Sequence, residues 1–317
     1  MLNAKLKFWS RAKRHKVSAF SLQPSALACS AFTLIEVMVV VVLLSLIVLA
    51  LMAVFNSTQA AFRASVTQAD VLESGRAVMD QMTADLRVMS PSFGRYDLAN
   101  YANDAVNFFA GAPPPATLIQ PLVGGTSRRT NALDNIFILS RGNANGVPTW
   151  YGVGYAVEPY KPSGPLYSLY RFATNHPVAA VDPAFIFTNE FRAFLAAVTN
   201  GSHLMDGVVA LTVRAYDVNG RWMTANIIAS PGGPTTNKNV KYVPLQWGQV
   251  GFYMFSNTLP ASVEIEMGVL EDRVLQRAES LSGSSRAQSN YLAGAAGQVH
   301  VFRQRVSIPN VDPSAYQ

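Results

Sequence analysis

Along this chain the spacing of apolar residues changes from continuous, to helical, to alternating. From Phe32 to Phe55 the side chains are almost all aliphatic, and Glu36 is the one ionisable group among them. As a helix, that run is long enough to cross a hydrocarbon layer of roughly 30 Å. Beyond it the spacing opens out. Phe55, Phe62, Val66 and Ala69 fall on one helical face, while Val71, Val78, Met82, Leu86 and Met89 fall on another about half a turn away. No proline interrupts the chain until Ser90-Pro91, and a residue before proline is driven out of the helical region. One helix is therefore predicted from Phe32 to about Met89, with its lower stripe seated on the protein's own core.

After Pro91 the pattern becomes that of strands. Residues 91–120 are rich in Ser, Asn, Gly and Pro, broken most clearly at Ala112-Pro113-Pro114-Pro115, and predict a long surface connection with room for one short strand. Asn135 to Ser140 reads as a buried strand ended by Arg141 to Gly146, and Trp150 to Val157 with Leu166 to Phe172 as a hairpin. Phe187, Phe191, Phe194, Leu195 and Val198 recur at helical spacing between Pro183 and Thr199. Val209, Leu211, Val213 and Ala215 alternate with polar or small residues up to a turn at Asn219-Gly220, with a return over Arg221 to Ala229. Val263, Ile265, Met267 and Val269 alternate likewise, which turns Glu264 and Glu266 outward as solvated carboxylates. A short polar helix over Glu271 to Leu281, a loop over Ser282 to Gln298 and a last strand over Val299 to Ile308 complete the head. The fold class is α+β.

Charge changes the picture once it is located. The net charge of +6 comes from Lys5, Lys7, Arg11, Lys13, Arg14 and Lys16, which precede the first acidic residue; the other 19 Lys and Arg meet 19 Asp and Glu. The chain beyond this leader is neutral, so nothing in it calls for a nucleic-acid partner. A basic flank before an apolar span stays cytoplasmic, which sends the head across the membrane. Cys29, the lone cysteine, lies in the leader, so the head holds without disulfides.

A carboxylate within a span is costly, on the order of 2.5–3.5 kcal/mol at the bilayer centre, and calls for a partner. A cut between Ala31 and Phe32 would free an α-amino group four residues from Glu36, or beside the Glu36 of a neighbouring copy. A secretory signal has a shorter core, roughly 7–15 residues, with its cleavage site after it. Phe32-Thr33-Leu34-Ile35-Glu36, after a small residue and a basic leader and before an apolar helix, resembles the class III signal of type IV pilins and type II secretion pseudopilins. The family usually has Gly where this chain has Ala31. The resemblance implies cleavage between Ala31 and Phe32 by prepilin peptidase, N-methylation of Phe32, and a Glu36 that guides assembly. It also implies an inner-membrane assembly platform, membrane lipid and other pilin-like subunits as partners. From the periodicity, the upper stripe is expected to meet neighbouring subunits.

A looser resemblance, over about half the head, is to the J-type minor pseudopilins. It rests on Trp150 to Tyr155 leading to Leu169-Tyr170-Arg171, on Val208 to Val213 followed by Arg214 to Trp222, and on Leu259-Pro260 opening Val263 to Ile265. It implies an antiparallel sheet packed on the long helix. The expected organisation is a leader over 1–31, a transmembrane half-helix over 32–55, its amphipathic continuation over 56–90 and an extracytoplasmic head over 91–317. Residues around Ala112 to Asn131 and Pro231 to Pro244, and the tail after Glu271, depart from that pattern.

The chemistry-bearing residues point away from catalysis. His15, His176, His203 and His300 show no metal-ligand spacing and have no cysteine to join. His203 and Asp206 lack an activated nucleophile in a recognisable motif. Gly124-Gly125 lacks the lysine of a phosphate loop, and no cofactor is expected. The expected role is a minor structural subunit at or near the tip of a type II secretion or type IV pilus-like filament. The alternative is an adhesive head displayed on the stalk, with Tyr151 and Tyr155 as the ligand surface.

Overall fold

A computed structural model describes residues 33–95, 103–111, 117–121, 128–159, 166–223, 239–244 and 250–316. They divide into two units, one ending at Gln59 and the other beginning at Ala60. The helix α1 (Leu34–Arg87) runs through both. Its described residues up to Gln59 are all exposed. The next proline in the chain, Pro91, follows within a turn of its end, and Arg87 places a cation at the negative pole of the helix. The Asn310 side chain donates to the Met89 carbonyl at 2.8 Å and closes that end.

The second unit is built on a nine-stranded antiparallel sheet. Its strands are β1 (Val106–Gly111), β4 (Asn135–Ala144), β5 (Val147–Pro159), β6 (Tyr167–Pro177), β7 (Ser202–Tyr216), β8 (Val240–Pro244), β9 (Val250–Phe255), β10 (Ser262–Leu270) and β11 (Val299–Ser307). They lie in the order β11-β10-β7-β6-β5-β4-β1-β9-β8. The strands β2 (Thr117–Pro121) and β3 (Arg128–Ala132) pair separately. On one face of the large sheet Val71, Val78, Met79, Met82 and Leu86 of α1 are buried with Ile136, Ile138, Leu211, Val263, Ile265 and Met267. Burying each such side chain is worth about 1.5–3 kcal/mol. Close approach is possible at Gly75, where an added Cβ would come within 2.3 Å of the Phe302 ring.

Two helical layers cover parts of the other face. The α2 segment (183–196) was expected as one amphipathic helix, but its middle, Ile186–Phe191, is a π-turn. The wider turn lets Ile186, Phe187, Phe191 and Phe194 all reach the sheet. Phe187 and Phe191 meet the Phe137 ring at 5.0 and 5.1 Å. Gly152 and Gly154 make the slot they enter, since a Cβ on either would lie 2.3 Å from Ile186 or Phe191. Farther along, α3 (Asp272–Ser280) and α4 (Ser285–Gly294) bury Val274, Ala278 and Leu292 on Val209 and Leu270.

Several expectations are corrected by the pairing. Val106 to Gly111, expected within a surface connection, is a fully buried strand between β4 and β9. Its Asn107 is satisfied internally: its amide donates to the Ser256 and Thr258 carbonyls at 2.9 and 3.0 Å, and its oxygen accepts from the Ser92 N–H at 2.9 Å. Strand β4 continues to Ala144 because Asn145 and Gly146, both at positive φ, make a two-residue turn that carries the pairing on into β5. Ser285–Gly294 is a helix rather than a loop, started by the Ser284 side chain. At the β7 turn the Asp217 carboxylate accepts from the Asn219 and Arg221 N–H groups, and the strand expected after it falls mostly outside the described residues. The Ala112 to Pro115 break also lies outside them.

Candidate assembly site

Thr33 and Glu36 open α1 as a reciprocal cap. The Thr33 N–H and hydroxyl each donate to Glu36 Oε2 at 3.0 Å, and the Glu36 N–H donates to Thr33 Oγ1 at 3.4 Å. Helix starts leave N–H groups without partners, and Thr-x-x-Glu satisfies two at once. The Thr-x-x-Glu spacing is the sequence signal for this local role. The Glu36 carboxylate is thus held at the very start of the helix. Ala31 and Phe32, the expected cleavage and methylation residues, lie outside the described residues.

The two apolar stripes of α1 separate cleanly. Phe55 and Phe62 are 62% and 69% exposed and Val66 is exposed with them, whereas Val71, Val78, Met82, Leu86 and Met89 are buried. Ser45 within the apolar run and Thr58 just after it return their hydroxyls to the carbonyls of Val41 and Val54 at 2.7 and 2.9 Å. α1 is the one helix among the described residues long and apolar enough to cross a membrane.

A polar contact fixes α1 on the sheet where the lower stripe is deepest. Arg171 of β6 donates to both oxygens of Asp85, from Nε at 3.0 Å and from Nη2 at 3.2 Å, and the Tyr155 hydroxyl donates to Asp85 Oδ2 at 2.5 Å. Burial and the adjacent carboxylate raise the Tyr155 phenol far above its ordinary range, so it stays a donor. The fork of two parallel bonds sets orientation as well as attraction. Tyr155 is consequently a core residue and not part of a ligand surface; its side chain lies on the α1 side of β5, fully buried. Tyr151 is partly exposed, with its ring over Gly142. The aromatic hairpin does not bring the two together as an open platform.

Among the described residues the remaining polar clusters form no catalytic arrangement. Ser168 donates to Asp206 Oδ1 at 2.5 Å, and His203 Nε2 lies 2.8 Å from that same oxygen. The carboxylate thus stands between hydroxyl and imidazole, whereas nucleophilic activation needs the imidazole on the hydroxyl. His176 pairs with Glu190 at 2.8 Å and His300 with Glu271 at 3.2 Å. Among the described residues no three His, Cys, Asp or Glu side chains converge as metal ligands.

Comparison with known families decides what the N-terminal segment is. Residues 27–52 match the prokaryotic N-terminal methylation motif. This segment is pilin-like. That match spans the expected cleavage position, the Thr33–Glu36 cap and most of the apolar run, and it implies prepilin processing followed by assembly with other pilins. A single apolar helix at the N-terminus fits anchoring in the inner membrane before assembly. No curated protein and no solved structure matches the chain.

Proposed function

We propose that this pilin-like chain is a minor pseudopilin. It is cut between Ala31 and Phe32, methylated on Phe32, and assembled at or near the tip of a type II secretion or type IV pilus-like filament. The observation that carries the reading is the division of α1. Its first half is apolar and exposed behind a methylation motif, while its second half is committed to the head. Glu36 then exchanges its bonds to Thr33 for the amine of a processed neighbour, two opposite charges meeting where water is scarce. The head carries a sheet of nine strands under added helices, too bulky to repeat densely along a shaft, so the tip suits it.

The test is made on the native chain in its host. Mass measurement should find a mature form that begins with methylated Phe32. Glu36→Leu should leave insertion and head folding unchanged and abolish incorporation with the sister subunits. Retention of the first thirty-one residues, or normal incorporation of Glu36→Leu, would overturn the assignment. Clean deletion should reduce filament initiation or secretion.

A further inference from the structure

The two edges of the large sheet are built differently. Strand β8 is five residues long and ends on Pro244, a residue that cannot donate to a ladder. Strand β11 is nine residues long, contains no proline and pairs with β10 along its whole length, from Ser307 opposite Ser262 to Val299 opposite Leu270. The bonds at its ends run from the Glu271 N–H to the Gln298 carbonyl and from the Ile308 N–H to the Ala261 carbonyl. Between them, no described residue bonds the outer row of β11 backbone groups. Such a row is a template for another strand.

We propose that β11 receives an extended acidic segment of a partner protein, which joins the sheet as a further strand. The face beside this edge specifies the chemistry. Glu264 and Glu266, expected as solvated carboxylates, are held in a ladder of ions: Arg214 reaches them at 2.7 and 3.1 Å, and Arg303 reaches Glu264 at 2.9 Å. Burial alone would raise the Glu264 carboxyl, but the two guanidinium groups more than offset this and hold it below the usual range. Across the sheet the sequence of charges is therefore cation on β7, anion on β10, cation on β11, and then an open edge.

The cations at that edge have capacity left. Arg303 is 60% exposed and bonds one carboxylate through Nη2. Arg305, two residues on along the same face, gives Nε to Ser262 at 2.9 Å and stacks 3.8 Å from the centre of the Tyr216 ring. β10 shows the pattern that fits beside them, with Val263, Ile265 and Met267 toward α1 and Glu264 and Glu266 on the outer face. A partner strand of that alternation would set carboxylates next to Arg303 and Arg305 and apolar residues next to Phe302, at cross-strand distances of about 5 Å. A second copy of β11 would set arginine against arginine, so the edge disfavours self-pairing while it admits an acidic partner. The inference stands on the head alone and does not depend on the pilin reading.

Its test uses the full chain in detergent and a nine-residue peptide alternating glutamate with valine or threonine. Saturable binding is expected, with slowed hydrogen exchange at alternate amides of β11. A peptide with lysine in place of glutamate should bind at least about tenfold more weakly, the loss of roughly one charged pair. Arg303→Glu should reverse that preference, and this reversal itself reports that the variant is folded; should it not fold, Arg303→Gln is expected to weaken the glutamate peptide alone. Equal binding of both peptides, or binding without slowed β11 exchange, would overturn the proposal. So would a sulfated polysaccharide that displaces the peptide and leaves those amides unprotected.

Discussion

The first and second halves of α1 use the same kinds of residue for opposite ends. Up to Phe55 the apolar side chains are spread around the helix, and Phe62, Val66 and Ala69 beyond it are exposed as well; from Val71 on, one stripe is buried, with charged and polar residues on the other side. A helix that is apolar all round needs an apolar surrounding, whereas a striped one needs a single partner surface. The change of pattern, not the amount of apolar surface, marks where the exposed part of the helix gives way to the part buried in the head. A single continuous backbone can thus carry two different packing contracts.

The sharpest way to break this contrast is to truncate one side chain in each half. Met82→Ala should lower head stability by about 2–5 kcal/mol in denaturant melts of the full chain. Phe62→Ala should leave the same melts within about 0.5 kcal/mol, as expected of an exposed position. Equal effects would mean that the halves do not differ as described. A smaller loss, on the order of 3 kcal/mol, is expected for Asp85→Ala, which strands Arg171 without its counter-charge. Asp85→Asn should recover part of it by keeping an acceptor for Tyr155 and Arg171.

A further prediction depends on pH and sharpens the contrast from the sheet side. Asp134, between β3 and β4, accepts from the Val213 N–H at 2.9 Å, and burial pushes its carboxyl up to about 7, although that bond and the charge of Arg214 pull the other way. An acid with a native pKa above its unfolded value of 3.8 holds its proton more tightly when folded. Its contribution is fully present below about pH 4 and is lost as pH rises toward 7. Asp134→Asn should therefore gain on the parent chain between about pH 4 and 7, read as a widening difference in melting temperature. A constant difference across that range would show that Asp134 keeps its ordinary titration.

Much of this was legible before any coordinates. The helix, its two stripes, the β5–β6 hairpin, β7, β10, α3 and β11 follow from periodicities that the packing obeys residue by residue. The failures have local causes. Val106-Asn107-Phe108-Phe109-Ala110-Gly111 hides a central strand because its asparagine is satisfied by carbonyls from Ser256 and Thr258, partners about 150 residues away that no window contains. Glu264 looked solvated because alternation gives the face of a residue but not the arginines on neighbouring strands. Tyr155 looked like surface because an aromatic hairpin has two faces, and the choice between them was made by Asp85 on a different element. At the N-terminus the cause is different: Glu36 has two roles, and the cost of a carboxylate in an apolar span says nothing of its bonds to Thr33, which the Thr-x-x-Glu spacing does signal.

The strand order carries a consequence for how the head comes into being. β1 is flanked by β4 and by β9, and β7 by β6 and by β10, so early-synthesised strands wait for neighbours supplied more than a hundred or some fifty residues later. While the polypeptide is still incomplete, those strands have unfinished borders, and pairings so distant in sequence form slowly. The chain therefore passes through a period of vulnerability to proteases and to sticking that ends when its last third is available, and quality control acting on it must reckon with that delay.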